Sequence, residues 1–141
     1  MKIAVGSDHG GFELKQQVVE FLSKAGHEVE SVGCFGLASV DYPDFAEKVC
    51  ALVKARTCER GILICGTGIG MSIAANRHRE IRAALCHEAF TARMSREHNN
   101  ANVLCLGARV IGSELALEIV CTWVTAEFAG GRHQRRLDML S

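Results

Sequence analysis

Gly61-Ile62-Leu63-Ile64-Cys65-Gly66-Thr67-Gly68-Ile69-Gly70-Met71-Ser72-Ile73-Ala74-Ala75-Asn76 reads as a strand, a tight turn and the opening of a helix. The apolar run has strand length and stops at Cys65, and glycines at 66, 68 and 70 punctuate the next few residues. A strand that ends in a glycine-rich turn and opens a helix aims backbone N–H groups and the positive end of the helix dipole at one point. Negative charge, resting or developing, is stabilised there. A thiol at that point finds its thiolate favoured. Cys65 and the turn after it therefore combine a candidate base with a candidate oxyanion site.

Outward from this stretch, five short apolar runs recur, at Ile3–Gly6, Glu28–Val32, Gly61–Cys65, Arg82–Cys86 and Asn102–Gly107. Helical spacing lies between them. Leu14, Val18, Phe21, Leu22 and Ala25 repeat at threes and fours, as do Leu115, Ala116, Ile119, Val120, Trp123 and Val124. Phe45, Val49, Leu52 and Val53 predict a helix after Pro43, which suits a first helical turn. Phe90 to His98 predicts another, less amphipathic one. Strand and helix alternating along one chain mean an α/β fold, a parallel sheet with helices on both faces. Ligands of such sheets bind beyond the carboxyl ends of the strands, near the point where strand order reverses.

The chain has 141 residues, enough for one domain spanning 1–141, and its 48% apolar and 23% charged content is that of an ordinary globular protein. Sixteen basic residues balance sixteen acidic ones, so no global charge argues for nucleic acid or an anionic membrane. Apolar runs fall far short of the roughly 20 residues of a bilayer span, and Met1-Lys2-Ile3-Ala4-Val5 enters a strand with no signal-peptide layout. A cytoplasmic location is expected. Seven cysteines, at 34, 50, 58, 65, 86, 105 and 121, form no C-x-x-C pair, which supports neither a disulfide framework nor a zinc ribbon. No metal or other cofactor is called for. Most of these cysteines suit a core, and only Cys65 stands where chemistry is suggested.

Strand ends sort the polar residues. Ser7-Asp8-His9-Gly10-Gly11 follows the first strand, a loop to Asp41-Tyr42-Pro43-Asp44 the second, Cys65-Gly66-Thr67-Gly68 the third, His87-Glu88 the fourth and Arg109 the fifth; His98-Asn99-Asn100-Ala101-Asn102 precedes the fifth. Each has a plain structural use as well. The glycines make a tight turn, Asp8 suits a helix N-cap, His98 suits a helix end at the surface, and Gly130-Gly131-Arg132-His133-Gln134-Arg135-Arg136 suits a solvated basic tail of about 130–141 beyond the last helix. A dinucleotide site is poorly matched. The pattern is G-x-G-x-G at the third strand, not an early G-x-G-x-x-G, although Glu88 lies near the distance at which the motif wants its acid.

Five segments in register carry more than any one of them. Gly6-Ser7-Asp8-His9-Gly10-Gly11-Phe12, Asp41-Tyr42-Pro43, Ile64-Cys65-Gly66-Thr67-Gly68-Ile69-Gly70, Ser95 to Val103 and Gly130 to Arg136 together resemble the type B ribose-5-phosphate isomerases, a family that includes the allose- and galactose-6-phosphate isomerases. The resemblance spans essentially the whole chain. It implies a single three-layer α/β/α, Rossmann-like domain with a five-stranded parallel sheet, a homodimer or higher homo-oligomer with active sites shared between subunits, and aldose–ketose isomerisation without a metal.

Residue by residue, Cys65 resembles the family's base, with Thr67 beside it, and the amides around Gly66, Gly68, Ile69 and Gly70 correspond to the site for the enediolate oxygen. Some members carry glycine in place of Cys65 and a glutamate in place of Met71, and this chain sorts with the cysteine users. His98 resembles the ring-opening acid/base, and an ordinary imidazole pKa near 6.5 suits that task. Asp8, Tyr42 and Asn99 resemble ligands of the sugar hydroxyls, and His9, Arg109, Arg132 and Arg136 the phosphate clamp. A phosphate carries about −1.5 to −2 charges against about +0.5 from a helix terminus, so side-chain cations are needed. Arg135 falls outside the motif. Two other readings stay open, a hexose-6-phosphate isomerase of the same family and a non-catalytic module binding sugar phosphates or nucleotides.

Overall fold

In the computed structural model, residues 1–140 are described, and only Ser141, the end of the expected tail, lies outside them. Five strands, β1 (Lys2–Ser7), β2 (Glu28–Val32), β3 (Arg60–Cys65), β4 (Ala83–Leu85) and β5 (Val103–Gly107), pair in parallel in the order β2-β1-β3-β5-β4. Six helices connect and follow them: α1 (Phe12–Lys24), α2 (Tyr42–Lys54), α3 (Ile69–Ala75), α4 (Ala89–Glu97), α5 (Ser113–Thr125) and α6 (Arg132–Asp138).

Alternate residues of the central strands feed two cores, as the period of two requires. Ile3, Val5, Ile62, Ile64, Leu104 and Leu106 pack with α1, α4 and α5 around Trp123. Ala4, Leu63, Cys65, Val103 and Cys105 pack on the other face with α2 and α3. The chain moves from β1 outward to β2 under α1, and back across to β3 under α2 on the opposite face. The reversal places a crevice between the carboxyl ends of β1 and β3. Asp8 and Cys65 are the residues that close or follow those two strands.

The expected α/β/α fold is what the chain forms, with differences at the margins. β4 is one residue shorter at each end than the run Arg82–Cys86. Asn102 Oδ1 accepts the Arg82 amide at 2.8 Å, so a side chain rather than a strand partner receives that N–H. The basic tail is not extended: Arg132–Asp138 is helix α6, entered through Gly130 and Gly131 at φ 69° and 58°. None of its residues is buried in the single chain, so no apolar period announces it. Glu88 caps α4, its carboxylate accepting the Thr91 amide at 3.0 Å, which spends it on helix formation and leaves the dinucleotide idea without its acid. No helix among the described residues is long and apolar enough to cross a membrane.

Candidate active site

Cys65 ends β3 and is 5% exposed. Its Sγ accepts the Gly68 N–H at 3.2 Å, so the turn folds back on the sulfur. Gly68 is the residue that allows this. Its φ is +78°, and a β-carbon there would sit 2.5 Å from Leu85 Cδ1 and 2.9 Å from the Leu106 carbonyl carbon. Gly68→Ala combines left-handed strain with overpacking, and an expected loss of about 3 kcal/mol lowers Tm by about 10 °C in a domain of this size. A thermal melt within a degree or two of wild type would contradict it.

The amides of the turn are not all available to a ligand, which corrects the expectation for Gly66 to Gly70. Gly68 N–H serves Cys65, and Ile69 N–H is accepted by Thr67 Oγ1 at 3.2 Å. Thr67 keeps its hydroxyl proton to donate. Gly70 and Met71, in the first turn of α3, have no carbonyl partner within the helix. The Tyr42 ring lies against Gly70, where a β-carbon would meet it at 2.7 Å, so glycine is what lets the first residue of α2 reach the turn. Met71 itself is fully buried.

On the β1 side, Asp8 is nearly buried and serves as the expected cap. Oδ1 accepts the Gly11 N–H at 3.1 Å and caps the short 3-10 turn His9–Gly11. Oδ2 forms no such bond among the described residues. The Asp8 amide donates to the Ile64 carbonyl at 3.2 Å, which ties the β1 loop to the end of β3. A β-carbon on Gly10 would stand 3.3 Å from Asp8 Oδ1, 3.6 Å from the Gly66 nitrogen and 3.8 Å from Arg109 Nη2. These groups therefore converge on one point. The Arg109 amide donates to the Gly66 carbonyl at 2.9 Å, and its exposed side chain runs across Gly66. His9 Nδ1 accepts the Val40 amide at 3.2 Å, which fixes the tautomer of the neutral ring and leaves Nε2–H as an outward donor.

Lys15 joins this arrangement without a signal in the sequence. It is 2% exposed and donates to the Val32 and Cys34 carbonyls at 3.3 and 2.9 Å, anchoring the start of the loop that ends at Val40 and Asp41. Burial pushes its ammonium below the ordinary lysine range, with the neighbouring Cys34 thiol acting the other way. It sits beside Leu14 in α1, outside the apolar repeat, where a lysine reads as an ordinary surface residue.

The remaining expected residues gather at the other end of the sheet. Asn102 accepts the Gly61 amide at the start of β3, whereas Cys65 pairs with Gly107, five residues further along β5. That is about 16 Å of strand. Loop 98–102 is held at the start of β4, where Arg82 donates to the Asn99 carbonyl at 3.2 Å and the Asn100 carbonyl at 2.9 Å. The His98 ring stacks on His133 of α6, centroids 4.2 Å apart and planes 13° from parallel. Leu137 of α6 lines a cavity with Asn99 and Arg82. Arg132 and Arg136 are thus on the helix that packs beside His98 and Asn99. Loss of hydration, then the neighbouring His98, Arg132 and Arg136, lower the His133 pKa. In the sequence only the arginine neighbours of His133 suggest a role, and the stacking on His98 becomes visible in the fold alone.

One chain therefore carries two separate clusters. Asp8, His9, Tyr42, Cys65 to Gly70 and Arg109 lie at the carboxyl ends of the strands. His98, Asn99, Arg132 and Arg136 lie at the amino ends.

The Ribose/Galactose Isomerase family matches residues 3–140. The chain belongs to that family. The ribose-5-phosphate isomerase B of Escherichia coli (strain K12) is 47% identical over 140 residues, 99% of this chain and 94% of that protein. The structure of ribose-5-phosphate isomerase B from Clostridium thermocellum superposes with a TM-score of 0.98 at 58% identity, covering 99% of this chain and 95% of that one. The ribose 5-phosphate isomerase of Thermotoga maritima gives a TM-score of 0.97 at 53% identity, with 99% and 96% covered. A common fold over nearly full length places the strand-end loops of this family where they stand here.

Proposed function

We propose that this chain interconverts D-ribose 5-phosphate and D-ribulose 5-phosphate, with Cys65 moving the proton. The observation that carries the reading is the buried Cys65 thiol at the β1/β3 crevice, between an amide-lined turn and the donors of His9 and Arg109. Binding alone needs no thiol there, which disfavours a non-catalytic module. Isomerisation moves a proton from C2 to C1 through a cis-enediolate while the O2 hydroxyl proton passes to O1. One base above both carbons therefore serves the carbon transfer, and a hydroxyl beside the two oxygens, that of Thr67, serves the other. Cys65 Sγ is that base. The Gly70 and Met71 amides and the Thr67 hydroxyl face the enediolate oxygens, where charge develops. Asp8 and Tyr42 hold sugar hydroxyls.

The two clusters make a dimer part of the reading. About 16 Å separates the strand ends they occupy, too far for one pentose phosphate to touch both in a single chain. A two-fold arrangement that sets the amino-end cluster of each subunit against the carboxyl-end cluster of its partner completes two sites. His9 and Arg109 then take the phosphate from one subunit, and Arg132 and Arg136 from the other. His98 and Asn99 of the second subunit reach the sugar ring, with His98 exchanging protons between the ring oxygen and the anomeric hydroxyl during opening.

Steady-state assays on ribose 5-phosphate, allose 6-phosphate and galactose 6-phosphate test the substrate, with the highest kcat/KM expected for the pentose. A higher value on either hexose would reassign it. His98→Asn tests ring opening. Turnover of cyclic ribose 5-phosphate is expected to fall more than the isomerisation step measured from ribulose 5-phosphate, which forms no furanose ring through its 5-oxygen. The comparison uses individual steps from pre-steady-state traces, because the equilibrium constant ties the overall directions together. Equal losses in both steps would remove His98 from ring opening.

A further inference from the structure

We infer that the amino-terminal end of the sheet carries a second anion site, built from Arg56, Arg60, Arg82 and Arg96, for a small phosphorylated metabolite. These side chains line a cavity of about 400 Å³ together with Val53, Cys58, Glu59, Asn100 and Asn102. Four guanidiniums thus line the cavity with one carboxylate, Glu59, while Glu127 adds attraction for Arg60 from outside the lining, and none of the four forms an ion pair among the described residues. Four cations gathered beside so few carboxylates repel one another, most strongly where water is partly excluded. Arg96 is 6% exposed, and burial together with the charges of Arg60 and Arg82 pushes its pKa down to about 10.

Carbonyl groups explain how these arginines are held, though not why so many converge. Arg60 Nη1 donates to the Trp123 and Val124 carbonyls at 2.9 and 3.3 Å, at the end of α5. Arg82 uses Nε and Nη2 on the loop carbonyls of Asn99 and Asn100. Arg96 uses Nη1 on the Ala101 carbonyl and on Asn100 Oδ1 at 3.0 Å, and Nε on the Ala126 carbonyl at 3.5 Å. Arg60, Arg82 and Arg96 are therefore each held by part of the guanidinium. Arg60 Nε and Nη2, Arg82 Nη1, Arg96 Nη2 and the whole Arg56 fork make no hydrogen bond among the described residues. Pre-positioned guanidinium N–H groups match phosphate oxygens; Arg56 and Arg60 keep at least two free nitrogens each for a paired contact, and Arg82 and Arg96 keep one each. A volume of this size suits a small metabolite rather than a lone ion.

The site adjoins the amino-end cluster through Arg82 and loop 98–102 but includes none of His98, Asn99, Arg132 and Arg136, and it does not depend on the isomerase reading. Trp123 reports on it directly. It is the only tryptophan in the chain, with Arg60 and Arg96 at 5.4 and 5.9 Å from its ring centroid. Inorganic pyrophosphate is the probe, titrated against Trp123 fluorescence at constant ionic strength set with chloride. A saturable change is expected in wild type and, undiminished, in Arg132→Ala/Arg136→Ala. Arg56→Gln should weaken it roughly tenfold or more, the loss of one charge-assisted contact. Arg56 is exposed and its side chain makes no hydrogen bond among the described residues, so its replacement leaves the fold intact, and an unchanged melting curve checks this. No saturable response in wild type, an unaltered affinity in Arg56→Gln, or loss of the response in the Arg132/Arg136 variant would each overturn the site.

Discussion

Cys65→Ala is expected to abolish exchange of solvent hydrogen at C2 of the bound sugar phosphate while binding survives. A positioned general base contributes about 10²–10⁴-fold, and that is the loss expected in the proton-transfer step. The residue ends β3 with its Sγ 3.2 Å from the Gly68 nitrogen, and alanine removes the acceptor of that hydrogen bond along with the base. Two measurements separate the consequences. Hydrogen exchange reads the chemistry, and equilibrium binding reads the integrity of the turn. Exchange at the wild-type rate in the variant would remove Cys65 from the mechanism. Loss of binding together with exchange would show that the thiol serves mainly to hold the turn.

Alkylation supplies an independent measure, with a complication that only the structure reveals. Burial pushes the Cys50 thiol up to about 11 and raises those of Cys58, Cys86 and Cys105, so these react slowly near neutrality. Cys121 on α5 is exposed, however, and competes for iodoacetamide. Rate of modification alone therefore does not single out Cys65. Protection by ribose 5-phosphate, read at each cysteine by peptide mapping so that Cys65 is separated from Cys121 and from Cys34, does.

The fold is legible because the stretch from Gly61 to Asn76 announces a strand, turn and helix, and because period-two and period-3.6 patterns alternate around it. The helix α6 is not, since its stability signals are local ones, such as Gln134 Nε2 donating to Asp138 Oδ1 at 2.8 Å, with no buried face behind them. The candidate site residues are read from motif order, and the fold gathers them into two groups. That division is partly legible as well. A loop that precedes a parallel strand lies at the end opposite to one that follows a strand, so residues 98–102, ahead of β5, belong away from Cys65. What the sequence does not show is the use of each polar group: that Lys15 pins the loop before α2, that Asp8 spends one oxygen on a cap, or that two of the turn's amides are already engaged.

The division of the site has a consequence that activity can report. Cys65→Ala damages only the carboxyl-end cluster of a subunit, and Arg136→Ala only the amino-end cluster. Arg136 is exposed on α6, and losing one charge-assisted phosphate contact costs about 1.5–3 kcal/mol, or tenfold to a hundredfold in affinity. Each variant alone should be weak or inactive at substrate concentrations near the wild-type KM. In a mixed dimer with crossed sites, one site combines both mutations and the other neither. After subunits have re-equilibrated at random, half the dimers are mixed and each holds one intact site of two, so activity should recover to about a quarter of wild type. If Cys65 and Arg136 served the same subunit's site, every site in the mixture would carry one lesion. No recovery would appear, even with exchange demonstrated by mass-labelled chains. Recovery near a quarter places the phosphate helix of one subunit over the thiol of the other, an arrangement that about 16 Å of strand denies to a single chain.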